Sequence, residues 1–298
     1  MKLVGATRKV RAICAKIASV LLRFWLTTGL VLGAIPQGNS FRFAIVGDRT
    51  GETVPGVYEQ VWREIGKESP GFVLNVGDTI QGLKDATAES EWRQVKPVWT
   101  RLRLPFFLVP GNHDIWSDAS QAVYEKETGR KPSYGFDWQN AHFTVLDNSR
   151  SLQLSAAQMA FLESDLAAHR NRQPKFVVFH QPFWLLPLKL GNTDFLFHKL
   201  MKQYGVNAVI SGHVHQLSRM ERDGVTYLVV GSSGGHLRGH NPVSEFDKGW
   251  FFHHLEVQVT GETVQMTVKE TGAPFGKGRS FNVRQWGEFG GVGPAETR

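Results

Sequence analysis

Five short apolar runs in this chain end in the same grammar. Phe43-Ala44-Ile45-Val46 runs into Gly47-Asp48, and Phe72-Val73-Leu74-Asn75-Val76 into Gly77-Asp78. Phe106-Phe107-Leu108-Val109 is stopped by Pro110-Gly111 and followed by Asn112-His113-Asp114. Phe176-Val177-Val178-Phe179 delivers His180, and Ala208-Val209-Ile210 leads through Ser211-Gly212 to His213-Val214-His215. Apolar runs of this length, bounded by turn residues, read as buried strands. In open α/β sheets the loops leaving the carboxyl ends of strands converge, and sites form there. Taken alone, Pro110 to Asp114 reads equally well as a helix N-cap with a solvent-facing histidine. Five strand ends carrying Asp, Asn or His make a shared site the better reading.

Between these runs the pattern turns helical. Val57, Val61 and Ile65 fall at spacing four, which predicts an amphipathic helix over Val57–Lys67. Further helices are expected over Glu89–Leu102, bent or broken near Pro97, and over Ala119–Thr128, Ser155–His169 (Ser155 as N-cap) and Asp194–Tyr204. Ser133–Phe136 and His142–Leu146 read as two further strands, and Gln181 to Pro187 as an aromatic, apolar loop. After His215 the character becomes β-like, over Gln216–Glu221, Thr226–Val230, Trp250–Val259 and Val264–Glu270. Asp223-Gly224 and Thr260-Gly261 are the expected hairpin turns. This order predicts an α/β fold of two packed β-sheets flanked by helices, with the site at the carboxyl edge of the strands. Residues 41–271 form the expected domain and residues 272–298 an irregular tail.

The formal charge of +7 suggests a polyanion partner only until it is located. Residues 1–40 hold six basic residues and no acid, leaving 28 basic against 27 acidic residues in the body. A near-neutral body gives no electrostatic case for nucleic acid. The basic start precedes an apolar run, Phe24 to Ala34, of signal-peptide length, with Leu32-Gly33-Ala34 as a cleavage region. Export is therefore expected, to the periplasm or the exterior. An uncleaved membrane anchor is the alternative, and that segment is the sole expected membrane contact. The one cysteine, Cys14, lies in this segment, so the body has no disulfide, thiolate metal site or cysteine nucleophile.

Asp, Asn and His without thiolates suit Zn, Mn or Fe ions, and a carboxylate shared by two such ions builds the clamp used for in-line displacement at phosphorus. The set resembles the calcineurin-like metallophosphoesterase superfamily in Gly47-Asp48, Gly77-Asp78, Gly111-Asn112-His113-Asp114, His180 and Gly212-His213-Val214-His215, in the family's order, over roughly residues 41–270. The resemblance implies a metallophosphoesterase sandwich holding two divalent or trivalent metal ions. Asp78 would bridge them; Asn112, His180 and His213 would join it on one ion, Asp48 and His215 on the other. His113 would contact the phosphoryl group and protonate the leaving oxygen, with Asp114 orienting it.

The chain departs from the pattern at Thr50, where most members carry a histidine for the first ion. Purple acid phosphatases also lack it and supply a tyrosine three residues after the Gly-Asp aspartate. Gln81 stands at that position here, and its amide oxygen is the candidate replacement ligand. The expected function is an exported, di-metal hydrolase of small phosphoric esters, a phosphomonoesterase or a phosphodiesterase, which share every residue named here. The alternative is a binding or scaffold protein with a degenerate first site. Arg49 either clamps a substrate phosphate or pairs with Glu52. His236 and His240 either reach the mouth of the site or are solvated loop residues. His142, His169, His198, His253 and His254 read as structural or surface residues, and Phe183, Trp184 and Leu185 as core or pocket wall.

Overall fold

Two six-stranded sheets lie face to face, each built around a parallel centre that the alternating strand-helix order dictates. The computed structural model describes residues 40–237, 245–288 and 290–294, so the expected signal or anchor segment and His240 lie outside the described residues. In the first sheet, β1 (Ser40–Val46), β2 (Phe72–Asn75) and β3 (Phe106–Phe107) run parallel. In the second, β4 (Tyr134–Trp138) pairs antiparallel with β5 (Ala141–Val145), which runs parallel to β6 (Lys175–Val178) and β7 (Ala208–Ser211). The hairpin of β8 (Ser218–Arg222) and β9 (Val225–Val229) closes this sheet's other side. Finally β10 (His253–Thr260), β11 (Thr263–Glu270) and β12 (Ser280–Asn282) complete the first sheet, giving strand orders β12-β11-β10-β1-β2-β3 and β4-β5-β6-β7-β9-β8.

The pleat sorts side chains between two kinds of core. On β1, Phe41, Phe43 and Ile45 enter the layer between the sheets, while Ala44 and Val46 face the helical side with Val57, Val61, Trp62 and Ile65. Phe43 packs on Phe72 of its own sheet at 4.7 Å and edge-on against Phe143 of the other at 5.4 Å. Near the β3–β4 edge, Phe107 stacks on Phe136 at 3.8 Å. The second sheet's outer face is covered by Leu162, Leu166, Phe197 and Leu200. Strands buried on both faces explain why the central runs are continuously apolar rather than alternating.

The expected helices form as α1 (Val57–Glu68), α2 (Asp85–Val95), α3 (Pro97–Thr100), α4 (Asp118–Thr128) and α5 (Ala156–Ala168, capped by Ser155). The break between α2 and α3 falls at Lys96, where Pro97 removes a backbone donor. Four details differ from expectation. Leu185–Lys189 closes into a short helix, α6, ahead of α7 (Leu196–Gln203), because Trp184 and Leu188 turn into the core. β9 is parallel to β7, not part of a wholly antiparallel run. The β10–β11 turn is Gly261-Glu262, since Thr260 still pairs with Thr263. The tail is not irregular throughout: Ser280–Asn282 pairs with β11 because Phe281 and Trp286 bury against Phe246 and Phe251. Among the described residues no helix is long and apolar enough to cross a membrane.

Candidate metal centre

All five strand ends open at one edge of the sandwich, so side chains 165 residues apart meet. The backbone N–H of His213 donates to Asp48 Oδ1 at 2.8 Å, joining the ends of β7 and β1. The backbone N–H of His113 donates to Asp78 Oδ1 at 2.9 Å, joining the ends of β3 and β2. Asp78, His213 and His215 sit at positive φ (57°, 71° and 55°), a conformation that costs non-glycine residues energy and that surrounding structure must hold. Gly111 gives Asp78 its space, since a Cβ there would stand 2.1 Å from Asp78 Oδ1.

The donor atoms fall into two groups that share one carboxylate. Ligating atoms of Asp78, His180 and His213 lie within 4.8 Å of one another, and so do those of Asp48, Asp78 and His215. Asn112 Oδ1 adds to the first group, 3.1 Å from His180 Nε2 and 2.9 Å from His213 Nδ1. His180 Nε2 also lies 3.2 Å from Asp78 Oδ2, while its Nδ1 donates to the Val76 carbonyl at 2.8 Å. That bond fixes the ring so that Nε2 faces the cluster. In the second group His215 Nδ1 donates to the His236 carbonyl at 2.7 Å, turning Nε2 toward Asp48 Oδ1 at 3.7 Å.

The electrostatics of this cluster call for positive charge. Asp48 is fully buried, and burial holds its carboxyl above the ordinary value despite the pull of His215 and His180. Its Oδ2 has no hydrogen-bond partner among the described residues, an arrangement that leaves a desolvated acceptor worth about 1–3 kcal/mol unsatisfied. Burial also works against the charge on Asp78, but His180 outweighs it and holds that carboxyl down to about 2. His180 is the mirror image: burial lowers it, and Asp78 and Asp48 together raise it to about 9. Burial and the neighbouring His180 push His213 down to about 4. An oxygen-and-nitrogen donor set around an unpartnered buried carboxylate oxygen fits a pair of borderline or hard metal ions.

The remaining expected residues fall differently. His113 does not lean on Asp114. Its Nδ1 donates to the main-chain carbonyl of Gln81 at 2.5 Å. Asp114 is instead a buried clamp, accepting from the N–H groups of Gly111 at 2.9 Å, Thr79 at 2.9 Å and Ile80 at 3.2 Å. Burial and the charge of Asp78 push its carboxyl up to about 7, against those three donors. It therefore ties the β2 and β3 loops together rather than orienting the imidazole. Asp114→Ala leaves three buried N–H groups without an acceptor, and we expect a stability loss of roughly 3 kcal/mol or more, measured by urea unfolding of the metal-free protein.

Thr50 is buried and its hydroxyl donates to Gln81 Oε1 at 2.5 Å, so the Gln81 side chain turns toward the position of the missing histidine. Among the described residues Arg49 forms no ion pair with Glu52. Its Nη1 donates to the Thr79 carbonyl at 3.1 Å and its guanidinium lies 5.8 Å from the Tyr58 ring centre. Trp184 is core, with Nε1 donating to Ser211 Oγ at 3.2 Å, and Phe183 packs on Phe179 at 5.1 Å. His142 lies between Asp137 at 2.7 Å and Asp165 at 2.8 Å, and its ring stacks on His169 at 3.7 Å. Parallel rings do not converge their in-plane lone pairs, so this second His-Asp group is a brace. The carbonyls of Gln81 and His236, which hold His113 and His215, were not legible in the sequence; every residue has a carbonyl.

Comparison with known proteins places this geometry. Residues 41–217, a segment that contains every strand-end residue from Asp48 to His215, match the calcineurin-like phosphoesterase family. Human tartrate-resistant acid phosphatase type 5 (Homo sapiens) is 24% identical, over 72% of this chain and 78% of that protein. The 3',5'-cyclic adenosine monophosphate phosphodiesterase of Haemophilus influenzae is 26% identical, over 58% of this chain and 65% of that one. Among solved structures, a purple acid phosphatase from yellow lupin (Lupinus luteus) seeds superposes with a TM-score of 0.61 at 15% identity, covering 83% of this chain and 53% of that one. The anchor in the inner membrane complex of Plasmodium superposes with a TM-score of 0.58 at 16% identity, covering 82% and 88%. Likeness at such identities speaks to the fold alone, whereas the matched segment takes in more than half of the chain and both donor groups. On that match the chain belongs to the calcineurin-like phosphoesterase family and is a metal-dependent phosphoesterase.

Proposed function

We propose that this phosphoesterase hydrolyses small phosphoric esters, monoesters first, at a two-metal centre, and that it works outside the cytoplasm. The observation that carries the reading is Asp78, whose carboxylate belongs to both donor groups. Asp78, Asn112, His180 and His213 would hold one ion; Asp48, Asp78 and His215 would hold the other, with Gln81 as the candidate further ligand. Bound there, the ions supply an activated water and neutralise phosphoryl oxygens. His113 supplies proton chemistry: a carbonyl only accepts, so Nδ1 carries a proton and Nε2 is left for the leaving oxygen. Monoesters lead because acid phosphatases are the relatives that share most of this chain's length. Export rests on the basic and apolar N-terminal segment.

The test is purified protein, stripped and reloaded with Mn, Zn or Fe, given p-nitrophenyl phosphate and its bis-ester. We expect metal-dependent hydrolysis with the monoester faster. If the reloaded protein cleaves neither, the scaffold alternative takes its place.

Gln81 carries its own prediction. An amide oxygen is a weaker ligand than imidazole for these ions, so the ion beside Asp48 should be lost first on dialysis. Gln81→Ala should bring metal content from two ions per chain toward one, read by elemental analysis. Unchanged stoichiometry would end the idea that Gln81 replaces the missing histidine.

A further inference from the structure

We propose that Trp250 selects the organic part of the substrate, and that the site favours phosphoric esters whose leaving group carries a flat ring. The proposal rests on the ester-hydrolase reading above. A depression of about 580 Å³ opens beside the metal centre, and its described lining includes His213, His215, His236, Glu52 and Trp250. The described lining offers ring surfaces and one carboxylate, Glu52.

The backbone that carries the indole is held there by its neighbours. Phe251 and Phe252 are buried, and Phe251 packs on Phe246 at 4.4 Å and on Trp286 at 5.7 Å. Trp250, between them and Gly249, is left partly exposed. The backbone is tied to the segment that follows His215. Leu217 N–H donates to the Gly249 carbonyl at 3.0 Å, Trp250 N–H donates to the Glu245 carbonyl at 3.2 Å, and the Gln216 amide donates to the Lys248 carbonyl. Gly249 permits that approach, since a Cβ there would stand 2.4 Å from the Leu217 carbonyl oxygen. A large ring with two side-chain torsions, carried on a tied backbone, loses little freedom when another ring stacks on it. Placed within one depression with two of the metal-site histidines, it meets the group attached to the phosphorus rather than the phosphoryl oxygens.

The test uses the metal-loaded full chain with phenyl phosphate and glycerol 2-phosphate, and each variant's kcat/KM is divided by the wild-type value on the same ester. This division cancels the leaving groups' different intrinsic reactivity. In Trp250→Ala and Trp250→Leu the phenyl ester should lose about 5- to 150-fold more than the glycerol ester, carried by KM, the range for removing an aromatic stacking partner. Trp250→Phe should keep most of the preference. Phenylphosphonate, titrated calorimetrically, should weaken by the same factor. Equal losses on the two esters, or none on either, overturn the role of Trp250 alone. A wild-type enzyme inactive on both esters overturns the ester-hydrolase reading and this one together.

Discussion

Asp78→Asn abolishes turnover beyond about 10⁴-fold, above the usual range for deleting a single acid-base group, and leaves fewer than two metal ions per chain. The expectation follows from how much converges on this one carboxylate. It belongs to both donor groups. Its Oδ1 accepts from the His113 N–H at 2.9 Å, and its Oδ2 faces His180 Nε2 at 3.2 Å. An amide keeps the shape but removes the charge, and places an NH₂ group against one of these two donors. The Asp78 charge is also the chief force holding His180 up to about 9, so its loss unsettles the neighbouring ligand as well. Elemental analysis and steady-state kinetics on the same preparation decide the matter. Two ions retained per chain would count against the shared role whatever the activity.

The second large effect is of another kind. His113→Ala should lose about 10²- to 10⁴-fold in kcat while metal content and fold stay intact, because His113 is the one imidazole at these strand ends that belongs to neither donor group. If it protonates the leaving oxygen, the loss must depend on the ester. A p-nitrophenolate leaves readily without a proton, so the variant should be hurt least on that ester and most on an alkyl ester. A loss independent of leaving group would assign His113 to charge stabilisation alone. Asp114→Asn separates the two aspartates of the motif: its carboxyl holds backbone N–H groups and does not touch the imidazole, so any kinetic effect should follow the stability change.

The family match and the two shared-carboxylate groups place the chemistry, while the finer reading of substrate depends on residues outside the strand ends. Trp250 and Gln81 both lie on connecting segments, where a side chain's neighbours are set by the path of the chain rather than by strand periodicity.

What the sequence determined by itself was the set of strand ends. An apolar run stopped by glycine or proline commits its next polar side chain to one end of a buried strand, so Asp48, Asp78, Asn112, His180, His213 and His215 could be placed at one edge from local chemistry. Their number and order also carried the resemblance. Three things were decided only by tertiary structure. Asp114 became a loop clamp because the Thr79 and Ile80 amides, 35 and 34 residues earlier, point at it. His113 and His215 are held by main-chain carbonyls, which carry no residue-specific signal. Arg49 turns to the Thr79 carbonyl and the Tyr58 ring because those groups stand beside it in space. Which polar group ends a strand is written locally, since covalent order and burial fix it; which donor meets which acceptor is a matter of distance across the packed sheets, and only the fold sets that distance.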